Sequence, residues 1–215
     1  MRNADGRKRA GAPLALAAAA LALIAASYLF FDRPLAALAR GLDPALVGFF
    51  GAVTVAGRGI YWVGATGALA ALLWLYGRAV PQASAARAWA RRGLLACAVI
   101  AAANVAGDVL KLALGRARPV LLVRDGIFGF FPFHGGEGWY SMPSGHAVTV
   151  TAAALLAARF WPRGRWLWAL AALVLLASRV VVGAHYPADV LAGALVAWLA
   201  VRGVIAAAHA RGLAE

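Results

Sequence analysis

Long uncharged stretches alternate with short basic ones along this chain. Ala10 to Phe31 runs for 22 residues without a charge, directly behind Arg7, Lys8 and Arg9. A helix of about 20 apolar residues crosses a bilayer core, whereas the apolar part of a cleavable signal peptide has only about 7–15. The stretch therefore reads as a retained first span. Asp43-Pro44 reads as an N-cap with proline at the first helical position. The short helix it opens, through about Ala56, is expected to lie in the membrane interface. Gly59 to Gly77 is a second span, with Trp62, Trp74 and Tyr76 near its ends, where aromatic belts sit. Gly93–Leu114, Ser144–Trp161, Trp166–Ala184 and Pro187–Ala208 follow as the third to sixth. The pattern predicts an all-α integral membrane bundle of about six transmembrane helices, with a short interfacial helix between the first two spans. No internal repeat or low-complexity linker interrupts it, so residues 1–215 read as a single domain.

Composition agrees with this pattern. Of the 215 residues, 64% are hydrophobic and 13% charged, against roughly 45–50% and 25% in soluble domains. A soluble core of this size leaves about 30% of its surface exposed and would not hide so much apolar material. The net charge of +13 would suggest nucleic acid in a soluble chain. Here the basic residues flank spans, and nucleic acid is not an expected partner. With the N-terminus in the cytoplasm, 13 of the 21 Lys and Arg fall on the cytoplasmic side, as the positive-inside rule requires. Both termini are then cytoplasmic, and Gly115–Pro143, the longest stretch between spans, lies outside. Cys97 stands alone in an apolar run and has no internal disulfide partner.

Polar residues gather at the outer ends of these spans. Lys111 closes the third, followed by Arg116 and Arg118-Pro119. Pro143-Ser144-Gly145-His146 opens the fourth, Arg179 closes the fifth, and His185-Tyr186-Pro187-Ala188-Asp189 opens the sixth. Each has a structural reading as well. Lys111 and Arg179 can snorkel, Asp108 can pair with Lys111, Ser144 can be an ordinary N-cap, and either histidine can be an interface residue. Ionisable groups near a bilayer core cost about 2.5–3.5 kcal/mol on insertion scales. Several converging on one surface therefore point to a site.

The chemistry fits a phosphate. Arg118 and Arg179 supply guanidinium forks and Lys111 a point charge. The helix start at Ser144-Gly145-His146 offers backbone N–H groups, and glycine at 145 permits close approach. Asp189 stands four residues after His185, so its carboxylate can take the imidazole N–H and free the other nitrogen to attack. His146 is left to protonate the leaving oxygen. No cluster has the ligand spacing of a metal site, and no cofactor is expected.

These residues fall into three stretches that resemble one family. Lys111-Leu-Ala-Leu-Gly-Arg-Ala-Arg118-Pro119 matches Lys-x6-Arg-Pro. Pro143-Ser144-Gly145-His146 matches Pro-Ser-Gly-His, and Ser178-Arg179-x5-His185-x3-Asp189 matches Ser-Arg-x5-His-x3-Asp. In order and correctly spaced, they are similar to the motifs of the type 2 phosphatidic acid phosphatase (PAP2) superfamily, with the motif core at 111–189. The resemblance implies a metal-independent phosphatase with a phosphohistidine intermediate. By it, His185 is the nucleophile, Asp189 its orienting partner and His146 the acid. Lys111, Arg118, Ser144, Gly145 and Arg179 bind phosphate. The motifs also occur in soluble vanadium haloperoxidases and acid phosphatases, against which the hydrophobicity argues.

The resulting expectation is a lipid phosphatase in a bacterial inner membrane, acting at the extracytoplasmic face. The substrate is a lipid phosphate or diphosphate of the undecaprenyl diphosphate or phosphatidylglycerol phosphate type. Two alternatives are a lipid phosphotransferase and a non-catalytic transporter or scaffold. The sequence sets no oligomeric state. The aromatic segment with Phe128, Phe130, Phe131, Phe133, His134, Glu137, Trp139 and Tyr140 either shapes the substrate entrance or anchors the interface.

Overall fold

The computed structural model describes residues 3–212, with side chains from residue 11 onward. Arg2 and the side chains of Arg7, Lys8 and Arg9, which open the charge count, lie outside the described residues. The first helix, α1 (Asn3–Ala26), passes through a π turn at Ser27–Phe31 into α2 (Asp32–Arg40). The expected span stopped at Phe31. The helix continues because Asp32 needs no water: its carboxylate is fully buried and paired inside the bundle. α3 (Pro44–Val53) is the expected short helix, with the Asp43 carboxylate accepting from the Ala45 N–H at 2.6 Å. A 3₁₀ turn at Thr54–Gly57 leads into α4 (Gly59–Ala79).

α5 (Ser84–Leu114) starts nine residues before the expected Gly93. Arg87, Arg91 and Arg92 do not break a helix; they mark where it leaves hydrocarbon for water. Arg87 also donates to the Gly77 and Pro81 carbonyls, both at 2.9 Å, closing the turn between α4 and α5. A short α6 (Pro119–Asp125) follows. α7 (Gly145–Phe160), α8 (Arg165–Val181) and α9 (Pro187–Ala210) correspond to the last three spans. α8 ends three residues before the expected Ala184, where the chain turns back at Val182–Gly183.

Among the described residues five stretches have the length and apolarity of spans, and α7 is a shorter apolar helix. At 16 residues α7 is about 24 Å long, less than a ~30 Å bilayer core. It can be short because α5, α8 and α9 surround it. Val148, Ala152 and Leu156 of α7 meet Val99, Ile100 and Ala103 of α5 and Ala197 and Val201 of α9 in the core. Large residues such as Leu14, Leu21, Leu72 and Leu173 point outward instead, as lipid-facing side chains do.

Glycine sets the closest approach in this core. A Cβ on Gly193 of α9 would lie 2.6 Å from the Ser144 carbonyl oxygen and 2.7 Å from the Ala147 Cβ. Only a bare backbone brings α9 so near the start of α7. At that level the Ser144 N–H donates to the Asp189 carbonyl at 2.9 Å, tying the two helix starts together.

Candidate active site

The end of α5, the starts of α7 and α9 and the end of α8 meet at one end of the bundle. α5 closes on Gly115 at φ 53°, with its N–H on the Lys111 carbonyl. A side chain there would collide with the Phe131 carbonyl. The turn sends Arg116 inward, and Arg118 leads into α6 with its N–H on the Gly138 carbonyl at 2.8 Å. At the end of α8, the Ala184 and His185 N–H groups both donate to the Arg179 carbonyl, at 3.1 and 3.2 Å. This fold-back places His185 beside α7.

Lys111 lies against the start of α7, with its Nζ 3.0 Å from where a Gly145 side chain would begin. Any residue larger than glycine would displace the ammonium. Lys111 also holds Asp108 at 2.7 Å, as its i,i+3 spacing predicts. Arg179 donates to the Thr54 hydroxyl at 2.6 Å. The buried Nε atoms of Arg118 and Arg179 have no hydrogen-bond partner. Among the described residues neither arginine forms an ion pair. Burial lowers the Arg118 pKa, while Glu137 and Asp189 oppose that shift. Arg118 and Arg179 both lie near enough to His185 to oppose its protonation, so these cations converge on one place, as binding of an oxyanion requires.

The helix start contributes less than expected. Ser144 caps α7, with its hydroxyl oxygen 3.5 Å from the Ala147 N–H, but its own N–H is taken by Asp189. The N–H groups of Gly145 and His146 remain for a ligand, two rather than three.

His185 is 4% exposed. Its Nδ1 lies 2.8 Å from the Ser141 carbonyl oxygen and 3.6 Å from the Asp189 carboxylate. The Ser141 carbonyl is the nearer acceptor for the imidazole N–H, and the Asp189 carboxylate stands behind it on the same side of the ring. Both neighbours are acceptors, so Nδ1 carries the hydrogen and Nε2 presents its lone pair. Burial pushes the His185 pKa below its ordinary value; Asp189 works against the shift, and Arg118 and Arg179 add to it.

Asp189 receives the Ser141 hydroxyl at 2.5 Å and the Tyr186 N–H at 2.8 Å, and it pairs with Arg116. Arg116, fully buried, reaches Asp32 with its other terminal nitrogen at 2.5 Å. Asp32 also accepts from the Ser27 hydroxyl and the Ala188 N–H, each at 3.0 Å. The sequence pattern groups Arg116 with the surface cations and does not single out Asp32 or Ser141. The available signal was an acidic residue ending a 22-residue uncharged run, since a carboxylate at membrane depth demands a partner.

Two further groupings were not foreseen. The 3₁₀ turn after α3 sits over the site, with Thr54 on Arg179 and Gly57 against the His146 ring. The aromatic segment divides. Phe128 packs on Tyr28 and Tyr186, and Phe130 on Tyr28, all around Arg116. Phe131 and His134 pack on Trp139. Five residues of that segment thus act in internal packing. Among the described residues no cluster of His, Cys, Asp and Glu is arranged to hold a metal ion.

The chain is similar to known proteins in this region. A sequence profile of the PAP2 superfamily matches residues 92–213. A lipid A 1-phosphatase of Rhizobium johnstonii is 47% identical over 92 residues, 42% of this chain and 38% of that protein. An undecaprenyl-diphosphatase of Sulfolobus acidocaldarius is 34% identical over 99 residues, 45% of this chain and 46% of that protein. The matches thus span less than half the length of these relatives. The fold is that of a transmembrane PAP2-type phosphatidylglycerolphosphate phosphatase from Bacillus subtilis. The two superpose with a TM-score of 0.65 over 92% of this chain and 96% of that one, at 22% identity.

Proposed function

Because the chain belongs to the PAP2 superfamily, we propose that it is an integral-membrane phosphatase acting on a lipid phosphate or diphosphate. Residues 1–215 form one such domain around the motif core 111–189. The observation that carries this reading is the pairing of His185 with Ser141 and Asp189 beside Lys111, Arg118 and Arg179. Lys111, Arg118, Arg179, the Ser144 hydroxyl and the Gly145 and His146 N–H groups hold the phosphoryl oxygens. Nδ1–H of His185 stays on the Ser141 carbonyl while Nε2 bonds to phosphorus. The lipid P–O bond breaks, its electron pair leaves with the oxygen, and His146 gives that oxygen a proton. In the second half His146 takes a proton from water, the resulting oxygen nucleophile bonds to phosphorus, and the P–N electron pair returns to Nε2. No step needs a metal.

The Lys/Arg distribution supports a site on the extracytoplasmic face of a bacterial inner membrane, with both ends inside. The relatives' names supply the substrates to test. Lipid A 1-phosphate leads because its hydrolase has the higher identity, 47% against 34%. Undecaprenyl diphosphate and phosphatidylglycerol phosphate follow.

The test is phosphate release from these three lipids in vesicles containing EDTA, coupled to rapid-quench labelling with ³²P-substrate. The expected result is release from at least one lipid and an acid-labile, base-stable phosphoenzyme that disappears in His185→Ala. Vanadate, a mimic of five-coordinate phosphorus, should inhibit. Labelling that persists in His185→Ala and disappears in His146→Ala would reverse the two roles. Transfer of phosphate to a second lipid instead of water would identify a phosphotransferase, and no turnover would support a transporter or scaffold.

A further inference from the structure

We infer that the start of α2 sets the charge around the nucleophile, through a buried relay of Asp32, Arg116 and Asp189 that ends beside His185. Asp32 is thereby a positioning residue for a reaction it does not touch. This inference rests on His185 being the residue that is phosphorylated.

All three side chains of the relay are 0% exposed, and they come from three separate parts of the chain. Each carboxylate has more than the arginine to hold it. Ser27 and the Ala188 N–H fix Asp32; Ser141 and the Tyr186 N–H fix Asp189. The Arg116 guanidinium lies 4.6–5.7 Å from the ring centroids of Tyr186, Tyr28, Phe130 and Phe128. Ring faces stabilise a cation and exclude water. The relay is therefore closed to solvent, and both carboxylates are held by more than packing α2 against α9 requires, while the Arg116 Nε has no hydrogen-bond partner.

Its charge explains the arrangement. Asp32 and Asp189 each carry one negative charge and Arg116 one positive charge, so the relay holds a net single negative charge. Free His185 is neutral. When Nε2 bonds to phosphorus and Nδ1 keeps its hydrogen, the ring becomes a cation. One buried negative charge is what that cation needs. Asp189 with Arg116 alone would be neutral, and Asp32 supplies the difference.

The charged and titratable groups acting on His185 are Asp189 of α9, Arg118 after α5, Arg179 of α8 and His146 of α7, with Arg116 reaching it only through Asp189. Substituting Asp32 leaves all of these in place. Asp32→Asn keeps the shape and leaves Arg116 paired with Asp189, but removes the net charge. The rate of phosphoenzyme formation is measured against pH by rapid quench. In Asp32→Asn the rate should fall about tenfold, KM should stay within about twofold, and the acid limb of the profile should move down by about one pH unit. The direction follows because a lost negative charge makes His185 harder to protonate. Asp32→Ser, a second neutral variant, should move the limb the same way. Asp32→Glu should slow the reaction and leave the limb in place, since it changes geometry and keeps charge. Asp32→Asn/Arg116→Gln restores a net single negative charge and should return the limb toward its wild-type position.

A merely structural brace would lower the rate of every variant without moving the limb. Coincident limbs in wild type, Asp32→Asn and Asp32→Ser would therefore overturn the inference. Absence of label on wild-type His185 would instead overturn the proposed nucleophile. Label on His185 with an unmoved limb would remove only the role of Asp32.

Discussion

Substituting Gly193 by alanine tests whether helix spacing sets the chemistry. The added Cβ would stand 2.6 Å from the Ser144 carbonyl oxygen, 2.7 Å from the Ala147 Cβ and 3.2 Å from the Val148 backbone nitrogen. All three of these contacts involve backbone or a Cβ, which cannot swing aside. Restoring the ~3.5 Å separation of ordinary contacts moves α9 about 1 Å away from α7. Overpacking of this kind costs about 1–3 kcal/mol, against the 0.5–1 kcal/mol that alanine gains over glycine in a helix. The larger effect falls on the reaction. Gly193 lies one helical turn after Asp189, so the same displacement pulls Asp189 and His185 from the start of α7. A 1 Å misplacement of reacting groups is worth about 10²-fold in rate. The expected result is therefore a kcat about 100-fold lower with a modest loss of thermal stability, followed in detergent micelles by phosphate release and melting. Gly203→Ala is the control, because nothing lies within 4 Å of its added Cβ on the same helix. It should keep full activity and equal or greater stability. Wild-type kcat in Gly193→Ala would refute the claim that this contact fixes the site.

A reporter fused near Gly126 should be active outside the cytoplasm and one near Gly164 inside; the reverse pattern would move the site to the cytoplasmic face. His146→Ala should slow lipid esters by about 10²–10⁴-fold and hurt an aryl phosphate much less, because an aryl oxide leaves without a proton. Equal losses on both substrates would remove His146 as the acid. Since burial lowers the His185 pKa, formation of the phosphoenzyme from an aryl phosphate, which needs no proton from His146, should hold level as pH falls through the ordinary value near 6.5, declining only below it. The same sign applies to stability. The unfolded state binds the proton first, so stability is present above pH 6.5 and is lost as pH falls toward the folded pKa. A rate that halves at 6.5 would contradict the burial argument.

The span pattern, the short helix after Asp43 and the three motif stretches were legible in the sequence because each depends on local chemistry. An uncharged run of about 20 residues has few alternatives to a membrane helix. Asp43-Pro44 is a helix start whatever surrounds it, and a phosphate demands the same cations in any fold. Helix ends were less legible. α2 continues past Phe31 and α5 begins before Gly93, because whether a charge ends a span depends on what it meets in space. The sequence also named Asp189 as the acceptor for His185, from their four-residue separation. Only the tertiary structure added the Ser141 carbonyl as a second, nearer acceptor, since its reach across the fold is not encoded in spacing. The same holds for Asp32 and Arg116, which are 84 residues apart. Local periodicity specifies which segments enter the membrane, but a buried ion pair is specified jointly by two distant positions. Neither residue alone carries a signal that names the other. The packing of α9 against α7 at Gly193, which a single Cβ would prevent, is likewise a property of two surfaces meeting, and it is this contact that turns separate motif residues into one site.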